Sequence, residues 1–166
     1  MNRWIALCSV VVACIAMTDV QASDFREHRM SGHIIWFHSS HELREGTGLI
    51  EEGKYAQGIA IIEKQMERGL HMNEMAYAMN SLCVANLGMG QLQEALENCN
   101  TAIRHDSTLW QAWNNRGNVH FFLRVYGKAL ADYQKAHGFE PDEVSLAQIE
   151  SNIALVQGLI AQEKTQ

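Results

Sequence analysis

The feature that most restricts this chain is an interval. Ala95 and Ala102 recur 34 residues later as Ala129 and Ala136, Leu96 as Leu130, and Leu92 as Tyr126. A weaker copy, first in chain order, carries the same pattern at Gly53-Lys54-Tyr55, Gly58 and Ile62. Within the copies, apolar residues step by three and four, as in Ile59, Ile62, Met66 and Leu70, or Leu92, Ala95, Leu96 and Cys99. That spacing gathers side chains on one face of a helix. No alternating stretch of useful length suggests a strand. The single proline, Pro141, falls after a predicted helix end, where its missing N–H does no harm. The chain is expected to be all-α.

The clearest copy reads Trp113-x2-Arg116-Gly117-x2-His120, followed by Tyr126, Ala129, Tyr133, Ala136 and Pro141. This order resembles the tetratricopeptide repeat, a helix-turn-helix unit with the pattern W-x2-L-G-x2-Y, A, F, P. Arg116 and His120 depart from the leucine and tyrosine usual at their positions. The resemblance implies a right-handed solenoid of about three helical hairpins, over 39–75, 76–109 and 110–143. The first unit is three residues longer, a surplus placed in the Gly69-Leu70-His71 turn. Small residues at unit positions 8, 20 and 27, which are Gly117, Ala129 and Ala136 in the third copy, let two antiparallel helices approach closely. A capping helix is expected over 144–163, apolar at Leu146, Ile149, Ile153, Val156 and Ile160. A stack needs one because its last unit otherwise leaves an apolar face in water. Glu150 follows Arg116 by 34 residues, so the two are candidates to pair across adjacent units.

The first 22 residues read as a cleavable export signal. A basic start at Met1-Asn2-Arg3 precedes an apolar run from Trp4 to Met17 and the small residues of Val20-Gln21-Ala22. Fourteen apolar residues are too few to span a bilayer comfortably. A rival reading takes Val11-Val12-Ala13-Cys14 as a bacterial lipobox, with membrane attachment only if Cys14 is lipidated. The expected location is the periplasm, or the envelope surface if a lipid anchor forms. Residues 23–38 form an N-terminal cap segment containing Ile34, Ile35, Trp36 and Phe37. Losing Arg3 and Asp19 with the signal leaves the net charge at -6. With no basic run anywhere, nucleic acid is not an expected partner.

Function is expected to lie in binding. There is no phosphate loop, nucleophile elbow or zinc-protease helix, so no catalytic residue, small-molecule substrate or cofactor is expected. In the resembled family, positions 2, 5, 9 and 12 of each unit's first helix line a concave face. Here those positions supply Tyr77, Asn80, Asn114, Asn118, Phe121, Gln148 and Asn152 as candidate partner-binding residues. A carboxamide both donates and accepts, so a ladder of them suits the backbone of an extended peptide, with Tyr77 and Phe121 gripping side chains. The alternative is that asparagine is simply common on wet helix faces. Alanine at Asn114 and Asn118 is expected to weaken binding while leaving melting nearly unchanged. Only Arg44 is basic on this face, which disfavours capture of a C-terminal carboxylate. The implied partner is a protein or an internal peptide segment, and the implied role is an adaptor or assembly factor.

Three further readings stand beside this one. Cys83 and Cys99 occupy positions 8 and 24 of one unit, opposite each other in an antiparallel hairpin. They are a candidate disulfide in an oxidising compartment, or else two buried apolar thiols. A structural subunit of an envelope assembly, such as a pilus, secretion or outer-membrane complex, is the second functional class. His28, His33, His38 and His41 invite a metal-handling role, but their spacing matches no closed metal motif, and no metal site is expected.

Overall fold

The structure, a computed structural model, describes residues 41–164. The export signal, the Cys14 lipobox, the 23–38 segment and His28, His33 and His38 lie outside the described residues. Among the described residues there are seven helices and no strand. They are α1 (His41–Glu51), α2 (Tyr55–Arg68), α3 (Met72–Gly88), α4 (Leu92–His105), α5 (Trp110–Phe122), α6 (Tyr126–His137) and α7 (Glu143–Glu163). The pairs α1–α2, α3–α4 and α5–α6 pack as hairpins, and α7 closes the series against α6. First helices also meet first helices, α1 touching α3 and α3 touching α5. This is the all-α hairpin stack that the repeat implied.

Each hairpin turns in the same way. The first helix ends in a left-handed residue, Gly53 (φ 77°), Gly90 (φ 76°) or Arg124 (φ 59°). The N–H of that residue bonds back three positions, to Ile50, Leu87 or Phe121, and the next N–H bonds back five, to Leu49, Asn86 or His120. Such a motif satisfies carbonyls that the helix end would otherwise leave bare. Glycine accepts the left-handed angle freely, whereas arginine holds it against steric resistance.

The crossing of each hairpin is also built on one contact, between unit positions 8 and 24. An added Cβ at Gly46 would stand 2.8 Å from Ile62 Cγ1, and one at Gly117 would stand 2.6 Å from the Tyr133 ring. In the middle unit the same two positions are Cys83 and Cys99, joined by a disulfide with a Cα–Cα separation of 5.2 Å. The core therefore runs as a chain of small clusters, not one central mass. Leu43, Ile50, Ile62 and Leu82 fill the first, Cys83, Ala95, Cys99 and Val119 a middle one, and Ala129, Tyr133, Ile149 and Val156 the last.

Two expectations are corrected. The surplus length of the first repeat does not sit in the Gly69-Leu70-His71 turn. It extends α3, which begins at Met72 although the register of α5 would start it at Ala76. His71 and Glu74 form a reciprocal capping box, the His71 N–H donating to Glu74 Oε2 at 3.2 Å, and this starts the helix one turn early. Nor does Arg116 pair with Glu150. Its guanidinium grips Asp132 of its own hairpin at 2.7 and 2.8 Å, while Glu150 lies 3.4 Å from His137. The fork of two donors fits a carboxylate lying across the hairpin, so register along the stack did not choose the partner.

Candidate peptide-binding face

The helices α3, α5 and α7 carry the candidate residues, and the amides among them join helix to helix. Asn115 Nδ2 of α5 donates to Asn80 Oδ1 of α3 at 2.9 Å, within the interior. Asn152 Nδ2 of α7 donates to Asn114 Oδ1 of α5 at 3.5 Å, and Gln148 Nε2 donates to Asn152 Oδ1 at 3.3 Å. Asn80 is 2% exposed and Asn152 4%. Asn114, Asn118 and Gln148 are half-buried, so their amides reach the surface in part. Asn118 stands apart from the seam, its Oδ1 accepting from the Tyr133 hydroxyl at 2.9 Å.

The two aromatic candidates are half-buried as well. Tyr77 packs beside the cluster of Ala76, Ala102, Leu109 and Ala112. Burial, and then the nearby Asp106 charge, push its hydroxyl above the ordinary tyrosine range. Phe121 packs edge-on against Phe122, with ring centroids 5.5 Å apart, and tilted against Tyr126 at 5.9 Å. Each ring is thus partly packed and partly exposed.

Two features escaped the sequence reading. Asn115 lies one residue off the repeat register, so a comparison at fixed spacing passes over it. The second is the buried polar cluster around Arg116. Its Nη1 donates to Asn100 Oδ1 of α4 at 2.8 Å while the same guanidinium holds Asp132. The Arg116 guanidinium also lies 4.7 Å from the centre of the Trp113 ring, which stacks on the cation. A visible sign was available, since Arg116 and His120 both replace apolar or aromatic residues of the repeat. Among the described residues no group of three His, Cys, Asp or Glu could hold a metal ion. Arg44 of α1 is exposed, whereas Arg116 of α5 is committed to Asp132 of α6 and Asn100 of α4.

No protein-family model matches the chain. Among curated proteins, Hsp70-Hsp90 organizing protein 3 of Arabidopsis thaliana is 26% identical over 100 residues, 60% of this chain. The match spans only 17% of that relative's length. Among solved structures, the first TPR domain of human RPAP3 superposes with a TM-score of 0.65 at 18% identity, covering 75% of this chain and 93% of that one. The first TPR of Spaghetti (RPAP3) bound to HSP90 peptide SRMEEVD gives 0.63 at 19% identity, covering 74% and 96%. With the 34-residue interval and the hairpin stacking, these likenesses show that the described region has the fold of a tetratricopeptide-repeat domain.

Proposed function

We infer that this chain is a protein-interaction module that holds an extended, internal peptide segment against the face of α1, α3, α5 and α7. The observation that carries the reading is the amide seam across α3, α5 and α7, whose Asn114 and Gln148 reach the surface in part, on the helices that also carry the half-buried rings of Tyr77 and Phe121. Such groups pair with a peptide bond whatever the side chains, so they set register and leave selectivity to the two rings. A solved neighbour holds the HSP90 peptide SRMEEVD, which supports peptide binding as the activity. The ligand chemistry inferred here differs. An acidic C-terminal segment calls for Lys and Arg, and this face offers amides.

Two experiments test the reading. Calorimetry with SRMEEVD should give no saturable binding, and tight binding would overturn the inferred ligand class. In-cell cross-linking should capture a partner with the wild type and lose it with Asn114→Ala/Gln148→Ala. A Glu94→Ala/Glu97→Ala variant, altered on the exposed side of α4, should retain it. Equal capture by all three would move the working surface elsewhere. Asn118 accepts the Tyr133 hydroxyl and Asn114 accepts from the buried Asn152, so the expectation of unchanged melting holds at neither, and thermal melts of the variant must show that it is folded before a lost partner counts.

The reading places this work outside the cytoplasm, in an adaptor or assembly role. Support comes from the apolar leader of residues 1–22 and the Cys83–Cys99 bond. N-terminal sequencing of the protein from cells should begin at Ser23, and an intact Met1 would overturn export. A structural subunit is the second reading, favoured by α7, whose outer side leaves Val144 67% and Leu155 43% exposed. That helix is long and apolar enough to cross a membrane by length and composition alone. A monomer in light scattering would favour the first reading, and an obligate oligomer the second.

A further inference from the structure

A polar cluster lies at the seam where α4, α5 and α6 meet. Arg116 of α5 binds both oxygens of Asp132 on α6 and reaches Asn100 on α4. His120, one turn further along α5, is 8% exposed, with Nε2 3.6 Å from Asp132 Oδ2. Its Nδ1 is enclosed and has no hydrogen-bond partner. Such an orphan is rare in a protein interior, and it is costly in whichever protonation state the ring adopts.

The neighbours fix what a proton would do there. An imidazolium carries two N–H donors and a charge, and the anion beside it is Asp132, already shared out to Arg116. From α5 it would face Arg116, and from α6 both Asp132 and Lys128. Burial holds His120 below the ordinary histidine range. Asp132 opposes that in part, while Arg116 and Lys128 reinforce it.

We propose that His120, Asp132 and Arg116 form an acid-sensitive latch on the seam between the second and third hairpins. In the neutral state Asp132 belongs to Arg116, and Arg116 ties α5 to α4 through Asn100. Protonated His120 competes for Asp132 Oδ2 and adds a second cation beside the guanidinium. The guanidinium then loses its fixed position, and its hold on Asn100 slackens. The direction follows from linkage. A histidine that binds its proton less readily folded than unfolded contributes its full stability above the unfolded value near 6.5, and that contribution is lost as pH falls from there through the folded-state value.

The test is a set of thermal melts of the full chain, wild type against His120→Phe, at about pH 7.5 and about pH 5, either side of the histidine range. His105→Gln, at an exposed histidine, serves as control. Wild type and His105→Gln should lose about 3 °C or more of Tm on acidification beyond any loss in His120→Phe. Equal losses in all three overturn the latch. If His120→Phe does not fold, NMR of the wild type decides. The His120 ring should titrate below 6.5 with the Arg116 Nε–H resonance moving in step. A midpoint at or above that value, or an Arg116 signal that stays put, overturns it.

Discussion

At the scale of single residues, the domain is governed by what sits at the hairpin crossings. Gly46 against Ile62, Cys83 against Cys99 and Gly117 against Tyr133 are three solutions to one geometric problem, since a helix crosses closely only where one partner lacks bulk. Glycine to alanine should therefore have opposite signs at two positions. Gly117→Ala drives a methyl into the Tyr133 ring and should lower the unfolding free energy by about 1–3 kcal/mol. Gly127→Ala, in α6 with nothing within 4 Å, should raise it by about 0.5–1 kcal/mol through helix propensity. Urea midpoints for the two variants check both, and equal shifts would sink the crossing argument. Asn118→Ala leaves the Tyr133 hydroxyl without its acceptor and should cost about 1–3 kcal/mol by the same measurement. The small residues were legible in the sequence because a missing Cβ at a crossing leaves a periodic mark. The partners of Arg116 and Asn80 were not, because a side chain's hydrogen bond follows local geometry, and Asn115 is out of register by one.

At the scale of elements, the repeat pattern located every described helix but not every boundary. The start of α3 was hidden because its capping box uses a histidine where Ser, Thr, Asp or Asn would be the visible signal. The turn after α5 was hidden for a similar reason, its left-handed residue being Arg124 where the other two hairpins have glycine. The middle hairpin is distinguished by its covalent crossing. Cys83 and Cys99 enclose the α3–α4 turn, a loop whose closure is worth about 3 kcal/mol in the chain-entropy picture. Cys83→Ala/Cys99→Ala should lose about that much in urea unfolding, and adding reductant should lower the wild-type midpoint while leaving the variant unmoved. A wild type indifferent to reductant would mean that the crossing is held by packing alone.

At the scale of the whole domain, stability is a sum over neighbours, so the ends matter more than their area suggests. The hydrophobic clusters are shared between successive helices, and the last belongs jointly to α6 and α7. On α7, Ser145, Ile149, Asn152 and Val156 face inward, against a helix whose Ala129, Tyr133 and Ala136 are fully enclosed. A closing helix was legible from its apolar period. Its second duty was not, because the Asn152 to Asn114 bond ties the cap to the candidate face and depends on how α7 lies across α5. Ending the chain at Asp142 should therefore remove more than one helix. With its cover gone, α6 exposes Ala129, Tyr133 and Ala136, and the third hairpin frays back toward the disulfide-held second. The far-UV signal should fall by clearly more than the 21 residues of α7 account for. Amide exchange should rise sharply in α5 and α6 while α3 and α4 stay protected. A truncated chain that lost only the helicity of α7 itself would show that the third hairpin stands without a cap, and nearest-neighbour stacking would then be the wrong description of this domain.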